Sequence, residues 1–194
     1  MYTHPMGEDH TPAIDGNIDV VRTYMDPDRS PVDYHHDALA YWNDVRGEDW
    51  APSWKDVSLL DFAPNVIPLI SVTDITPEPL SSIYRFWGTK LTEIHGGDYS
   101  GKPPNLVPPK QLGLANTGGC GRLVGERKPH LEIKEFRNQR GLMGRAMVLR
   151  LPLSDDGETV NHGVNVYYFE PAKDNQPMAD FFAGVFATLD ANAQ

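Results

Sequence analysis

The segment from Tyr84 to Lys102 constrains the fold more than any other, since it places a strand, a helix and two turns in close succession. Its aromatic strand end is followed by apolar residues at helical spacing, and Gly96-Gly97 stops that helix. A backbone that turns this often must bend around a small space. We therefore predict that the segment forms one wall of a pocket. The predicted wall consists of Trp87, Leu91, Ile94 and His95.

Length and charge limit the classes of protein to consider. The chain has 194 residues, of which 40% are hydrophobic, and this suits one domain with many turns. Its net charge is −10, and an acidic surface repels both phosphate backbones and anionic lipid heads. We therefore expect no nucleic-acid partner and no membrane partner.

Cysteine content bears on the compartment and on metal binding. Cys120 is the only cysteine, so neither an internal disulfide nor a cysteine-rich metal site can form. The residues from Met1 to Asp15 lack the basic and apolar pattern of a signal peptide. We expect a cytoplasmic protein without a bound metal.

The N-terminal part divides into a tail and a helix. Residues 1–29 are polar and rich in turn residues, which predicts a flexible tail, and residues 30–190 are predicted to form a single domain. A helix is predicted to begin at Ser30-Pro31 and to end at Gly47. Its aromatic face is wide enough to cover a sheet or a second subunit.

Five segments have the composition or the alternation of strands. Asp156-Gly157 predicts a hairpin turn between the last two, and a closing helix is predicted over 177–189. The order implies an α+β domain with a five-stranded antiparallel sheet. Short helices would cover one face, and the terminal helices would cover the other face or pair with a second subunit. The five segments are residues 66–73, 80–87, 130–137, 142–153 and 160–169.

The segment 107–125 has two interpretations. Leu112, Ala115 and Leu123 keep helical spacing, but several glycines each weaken a helix by roughly 1 kcal/mol relative to alanine. Either a helix packs closely through small residues here, or the segment is partly irregular. The glycines are Gly113, Gly118, Gly119, Gly121 and Gly125.

Four pieces of sequence, taken in order, carry a family resemblance. They are Tyr41-Trp42, Tyr84–Thr89, Gly101-Lys102 and Leu151–Gly157. With them the chain resembles the PAS domain superfamily, and more closely a proteobacterial family of small stand-alone PAS-like proteins. The resemblance implies a five-stranded antiparallel sheet whose flanking helices enclose a small cavity. It names neither a ligand nor a cofactor, and we expect no output domain within these 194 residues.

Further candidate ligand-binding residues come from the strands and turns. Arg145 alternates with Met147 in the fourth strand, so it is either a buried cation that needs an anionic partner or a surface residue. Tyr168 lies on one face of the fifth strand. The ligand-binding set predicted from the sequence is Trp87, Leu91, Ile94, His95, Tyr99, Arg145, Met147 and Tyr168.

No coherent catalytic set emerges from the sequence. Gly96–Lys102 lacks the Ser or Thr that follows the lysine of a P-loop, so its glycines are interpreted as turn residues. His35 and His36 are interpreted as surface residues. His95 is more simply a helix-terminal residue favoured by the helix dipole than a haem or metal ligand.

Three functions remain open. The first is a sensory or interaction module that binds a small ligand or a protein partner without catalysis. The second is a small cone-shaped α+β isomerase or hydratase in which His95 or His130, paired with an acid, acts as general base. The third is a homodimer whose helices at 31–46 and 177–189 pair across subunits.

Overall fold

The structure, a computed structural model, describes residues 7–11, 19–108, 110–138 and 141–171. For residues 7–11, 138, 141–143 and 171 it describes the backbone alone. The described residues form one seven-stranded sheet in which all neighbouring strands are antiparallel. The strands are β1 (Gly7–Thr11), β2 (Asp19–Met25), β3 (Ile70–Pro77), β4 (Leu80–Trp87), β5 (His130–Asn138), β6 (Gly141–Leu153) and β7 (His162–Pro171).

The α+β class with an antiparallel sheet is confirmed, but the predicted count of five strands is wrong. The strand order is β1-β2-β5-β6-β7-β3-β4. The five predicted strands correspond to β3 through β7 and are contiguous in this order. The two additional strands extend the sheet beyond β5.

Both additional strands come from residues that we expected to form a flexible tail. Strand β2 pairs with β5 from Asp19 opposite Arg137 to Met25 opposite Leu131, and β1 pairs with β2. Along β2, Val20, Arg22 and Tyr24 are buried on one face. The sequence pattern does not predict β2, because Arg22 at the central inward position interrupts the apolar alternation that identifies a strand.

Helix α1 (Asp33–Arg46) covers one face of the sheet. Its buried residues pack on β3, β6 and β7, and the indole Nε1 of Trp42 donates a hydrogen bond to the carbonyl of Pro152 at 2.8 Å. His35, interpreted from sequence as exposed, is 1% exposed and bonds to Ser30 Oγ at 2.8 Å through Nδ1. The apolar side of α1 packs on its own sheet. Pairing of α1 with a second subunit stays a prediction. The helix predicted over 177–189 lies outside the described residues.

Helices α2 (Thr89–His95) and α3 (Lys110–Glu126) cover the opposite face. The first of the two interpretations of segment 107–125 is therefore correct, since a continuous helix packs closely through small residues. The predicted hairpin turn contains Gly157 at φ +73°, and the connection from β6 to β7 spans residues 154–161. No helix among the described residues is long and apolar enough to cross a membrane.

Candidate functional site

Five of the predicted site residues come together beneath α3. Trp87, Leu91 and Ile94 belong to one buried cluster, and Tyr99 packs against it. The centroid of the Trp87 ring lies 5.5 Å from that of His95 and 5.3 Å from that of Tyr99. The predicted wall residues therefore pack together in the core, and their role as the wall of a pocket stays a prediction. Gly96, at φ +72°, ends α2 directly after His95, as the double glycine predicts.

The other three predicted site residues lie apart from this wall. Met147 packs with Val32 and Leu131 on the α1 side of the sheet, and Tyr168 contacts the same group. Arg145 is 40% exposed, and its Nε lies 2.9 Å from Glu135 Oε1. Arg145 is thus a surface residue of an ion pair, so the alternative of a buried cation is wrong for this position.

Aromatic rings extend the wall across the sheet. Tyr84 contacts Trp87 at 4.7 Å between centroids, and Phe169 lies 6.1 Å from His95. Tyr167 and Phe169 are stacked at 5.9 Å with an interplanar angle of 12°. We use the term aromatic wall for the six rings of Tyr84, Trp87, His95, Tyr99, Tyr167 and Phe169.

Three charged residues, which sequence reasoning missed, adjoin the aromatic wall. We call Glu132, Lys134 and Arg150 the charge cluster, and each is at most 2% exposed. The only available signal was the alternation of charged with apolar residues along β5, which is also the pattern of a strand with one face in water. Because α3 covers that face, the charged residues are buried instead.

A carboxylate joins the two cations of the charge cluster. Arg150 donates from Nε to Glu132 Oε2 at 2.6 Å and from Nη1 to Asn165 Oδ1 at 2.8 Å. Lys134 Nζ lies 3.6 Å from Glu132 Oε2 and donates to Asn116 Oδ1 of α3 at 2.5 Å. The charge cluster therefore links three strands to the covering helix.

The pKa values of the charge cluster reflect burial and these ion pairs. Burial alone would raise the pKa of Glu132, but Arg150 and Lys134 outweigh it and lower that pKa to about 2. Burial lowers the pKa of Lys134 to about 8 despite the nearby carboxylate. Burial would lower the pKa of Arg150, but Glu132 holds it above its usual value. At pH 7 the three groups are ionised.

Two glycines let α3 approach the buried arginines. A Cβ on Gly119 would collide with the guanidinium of Arg150, reaching its Cζ at 2.5 Å. A Cβ on Gly118 would collide with Nη1 of Arg22, which donates to the carbonyl of Ala115 at 3.2 Å. The glycines that weaken the helix are thus the ones that let it cover charged side chains.

Some buried polar atoms of this region have no hydrogen-bond partner among the described residues. They include Nε1 of Trp87, Nη2 of Arg150 and Oε1 of Glu132. Buried polar groups are nearly always paired with protein, water or ligand, so such atoms call for a physical account. All three side chains lie on the sheet face beneath α3.

The two histidines proposed as general bases are poorly suited to that role. Burial lowers the pKa of His95 to about 3 and that of His130 to about 4. Both rings are therefore neutral at pH 7 and are weak bases. An efficient general base has a pKa near the working pH.

A second feature, a groove of about 460 Å³, lies at the other end of β3 and β4. His162 lines it, with Nδ1 2.8 Å from Asp74 Oδ1 and Nε2 2.8 Å from Asp155 Oδ2. Arg85 Nε donates to the same oxygen of Asp74 at 2.6 Å. Both nitrogens of His162 are occupied by carboxylates, so neither faces the groove as a base.

Among the described residues, no group of three or more His, Cys, Asp and Glu side chains could hold a metal ion. No protein-family model, curated protein or solved structure matches this chain. Its function must therefore be inferred from the geometry of its own residues.

Proposed function

We propose that this protein is a PAS-like module that binds a small molecule between α3 and the sheet and acts without catalysis. The observation that carries the proposal is the set of buried polar atoms of Trp87, Glu132 and Arg150 that have no partner in the described part of the chain. Binding pockets in proteins are typically apolar and aromatic surfaces that carry a few such directed polar groups.

The architecture supports the PAS-like part of the proposal. Strands β3 to β7 are contiguous, and α2 and α3 connect β4 to β5 over one face. This contiguous sheet with helices over one face supports the proposal, and the small cavity that the resemblance implies stays a prediction.

Helix α3 is the element best suited to report binding. Its glycines reduce its intrinsic stability, so its position depends on packing against the sheet. A ligand beneath it would change that packing directly. The signal would then be an altered position or stability of α3, which a protein partner could recognise.

A thermal-shift screen against a metabolite library tests this function. Ligands that raise the Tm should then be titrated against Trp87→Phe and Trp42→Phe. The two tryptophans are 4% and 5% exposed and lie on opposite faces of the sheet. We expect weaker binding in Trp87→Phe alone. A screen without any stabilising compound, or equal losses in the two variants, would contradict the proposal.

A catalytic function is the second candidate, and one observation favours it. His162 forms a histidine–carboxylate pair with Asp74 at the groove, as an isomerase or hydratase would require. Asp155, which is 47% exposed, would have to release Nε2 before the ring could accept a proton. Asp155→Asn keeps the shape of the side chain and weakens this contact. An activity screen would favour the enzyme if it finds a turnover whose rate changes in Asp155→Asn and is lost in His162→Gln.

A further inference from the structure

The charge cluster holds more positive than negative charge. Lys134 and Arg150 are 1% and 2% exposed, and among the described residues Glu132 is the only carboxylate that pairs with either. The other groups bonded to them, Asn116 and Asn165, are neutral amides. A buried cation without a counterion is strongly unfavourable, so the site favours the entry of an anion.

Neighbouring titratable groups in the described part of the chain do not supply the missing negative charge. Burial raises the pKa of the Cys120 thiol and of the Tyr84 and Tyr167 hydroxyls, so all three groups are neutral. His95 is neutral as well, because burial lowers its pKa to about 3. Arg22 adds a further cation beneath the same helix.

Donors for an anion are present on the same face. Nη2 of Arg150 and Nε1 of Trp87 are buried donors that no described residue accepts from. Guanidinium groups bind carboxylates through two parallel hydrogen bonds, and Arg150 already uses Nε and Nη1 for protein partners. Its remaining nitrogen, Nη2, lies against the backbone of Gly119, so a carboxylate can reach it only where α3 moves away.

The aromatic wall defines the remainder of the ligand. His95 connects the two regions, since the charge of Lys134 acts on its ring and its ring lies against Trp87. Tyr167 and Phe169 add two nearly parallel rings, whereas the rings around Trp87 meet it at steep angles. Aromatic faces favour planar apolar partners.

We propose that the ligand is a small aromatic monocarboxylate, whose carboxylate binds Lys134 and Arg150 and whose ring lies against the aromatic wall. This proposal rests on the proposed function and names the ligand class of the same site. Because α3 packs directly on Arg150, binding requires α3 to move away from the sheet and to rest over the ligand in a shifted position.

Matched acids and amides test the ligand class. Benzoate, phenylacetate and indole-3-acetate should each raise the Tm in a concentration-dependent way, and their amides should bind at least tenfold more weakly. Sodium chloride at equal ionic strength is the control for general screening. Equal binding of acid and amide, or an equal effect of chloride, would overturn the proposal.

Two variants test the position of the carboxylate. Asn116→Asp is isosteric and places a carboxylate 2.5 Å from Lys134 Nζ, so it mimics the bound anion. We expect it to raise the Tm of the ligand-free protein and to abolish stabilisation by the acids. Lys134→Met should bind the acids at least tenfold more weakly. Arg145→Gln, on the exposed side of the same sheet, should bind them with unchanged affinity. Unaltered binding of the acids by Asn116→Asp and Lys134→Met would overturn the proposal.

Failure of the ligand class is distinguishable from failure of the proposed function. If neutral ligands from the metabolite screen bind more weakly to Trp87→Phe and no acid raises the Tm, the aromatic monocarboxylate proposal is wrong and the proposed ligand-binding function stands. If no compound binds, both the ligand class and the proposed function are wrong.

Discussion

The guanidinium of Arg150 lies directly against the backbone of Gly119, in the middle of the helix that covers it. A Cβ at residue 119 would force a shift either of α3 or of this guanidinium, which Glu132 and Asn165 hold in place. The relationship explains why a glycine-rich segment forms a helix here, since the stabilisation comes from contact with the sheet.

The first prediction compares two glycines of α3. Gly119→Ala should lower the free energy of unfolding by about 1–3 kcal/mol, because its Cβ collides with Arg150. Gly125→Ala should raise that free energy by about 0.5–1 kcal/mol, since its Cβ would meet no described atom outside its own stretch of helix within 4 Å and alanine favours the helix. Urea denaturation of the two variants measures the difference. Equal effects would contradict the close packing of α3 at Gly119.

The second prediction concerns the stability of the ligand-free tryptophan variants. Trp42→Phe removes a hydrogen bond to Pro152 and leaves that carbonyl without its donor, whereas Trp87→Phe removes an N–H that has no partner among residues the structure describes. Loss of a buried partner costs about 1–3 kcal/mol, so Trp42→Phe should be the more destabilising variant by that amount. Thermal unfolding in the absence of ligand measures this. A larger loss in Trp87→Phe would indicate that its N–H is paired within the protein.

The third prediction is a rise in stability at alkaline pH that depends on Lys134. Burial lowers the pKa of this amine to about 8 in the folded chain, against 10.5 as its ordinary value. Between these values the unfolded chain binds more protons than the folded chain, so the free energy of unfolding rises with pH. The gain from pH 7 to pH 10 should be roughly 2–3 kcal/mol.

Lys134→Met is the variant that isolates this contribution. It keeps the length of the side chain and removes the ionisable group, so the alkaline rise should be missing from its stability profile. Urea titrations of the wild type and the variant at pH 7, 8, 9 and 10 make the comparison. Parallel profiles would show that Lys134 does not titrate in this range.

The fourth prediction is acid destabilisation through buried histidines. Burial lowers the pKa of His35 and of His130 to about 4, and that of His95 to about 3. As pH falls below 6.5 the unfolded chain takes up protons that the folded chain does not, so stability falls. Each histidine should contribute about 1.5 kcal/mol of loss between pH 6.5 and 5.

His95→Phe tests the share of one histidine in this acid response. Phenylalanine preserves an aromatic ring in the aromatic wall and cannot be protonated. The slope of stability against pH should therefore fall by about a third in this variant. An unchanged slope would mean that the folded chain accepts a proton at His95.

The sequence predicts the wall but not the charges beside it, for a physical reason. The apolar spacing from Trp87 to Ile94 predicts a short helix packed on a strand, and the structure has this arrangement. Glu132 and Lys134 occupy alternate positions of β5, and period-two alternation identifies two faces without saying which one is covered. Burial of the charged face depends on α3, whose glycines weaken the helical signal.

The N-terminal strands were missed for a related reason. Along β2 the inward residues are Val20, Arg22 and Tyr24, and the arginine is buried because α3 supplies the carbonyl of Ala115. That partner is distant in sequence, so no local pattern reveals it. Arg145 is the converse case, a cation that alternates with apolar residues and yet pairs with Glu135 at the surface.

Native mass spectrometry is the most direct test of a small-molecule site beneath α3. The purified chain, incubated with the metabolite library, should carry a non-covalent adduct that disappears on denaturation. The adduct should be weakened in Trp87→Phe and retained in Trp42→Phe, whose indole lies on the opposite face. Bare chain under every native condition, or an adduct that both variants hold equally, would contradict the account.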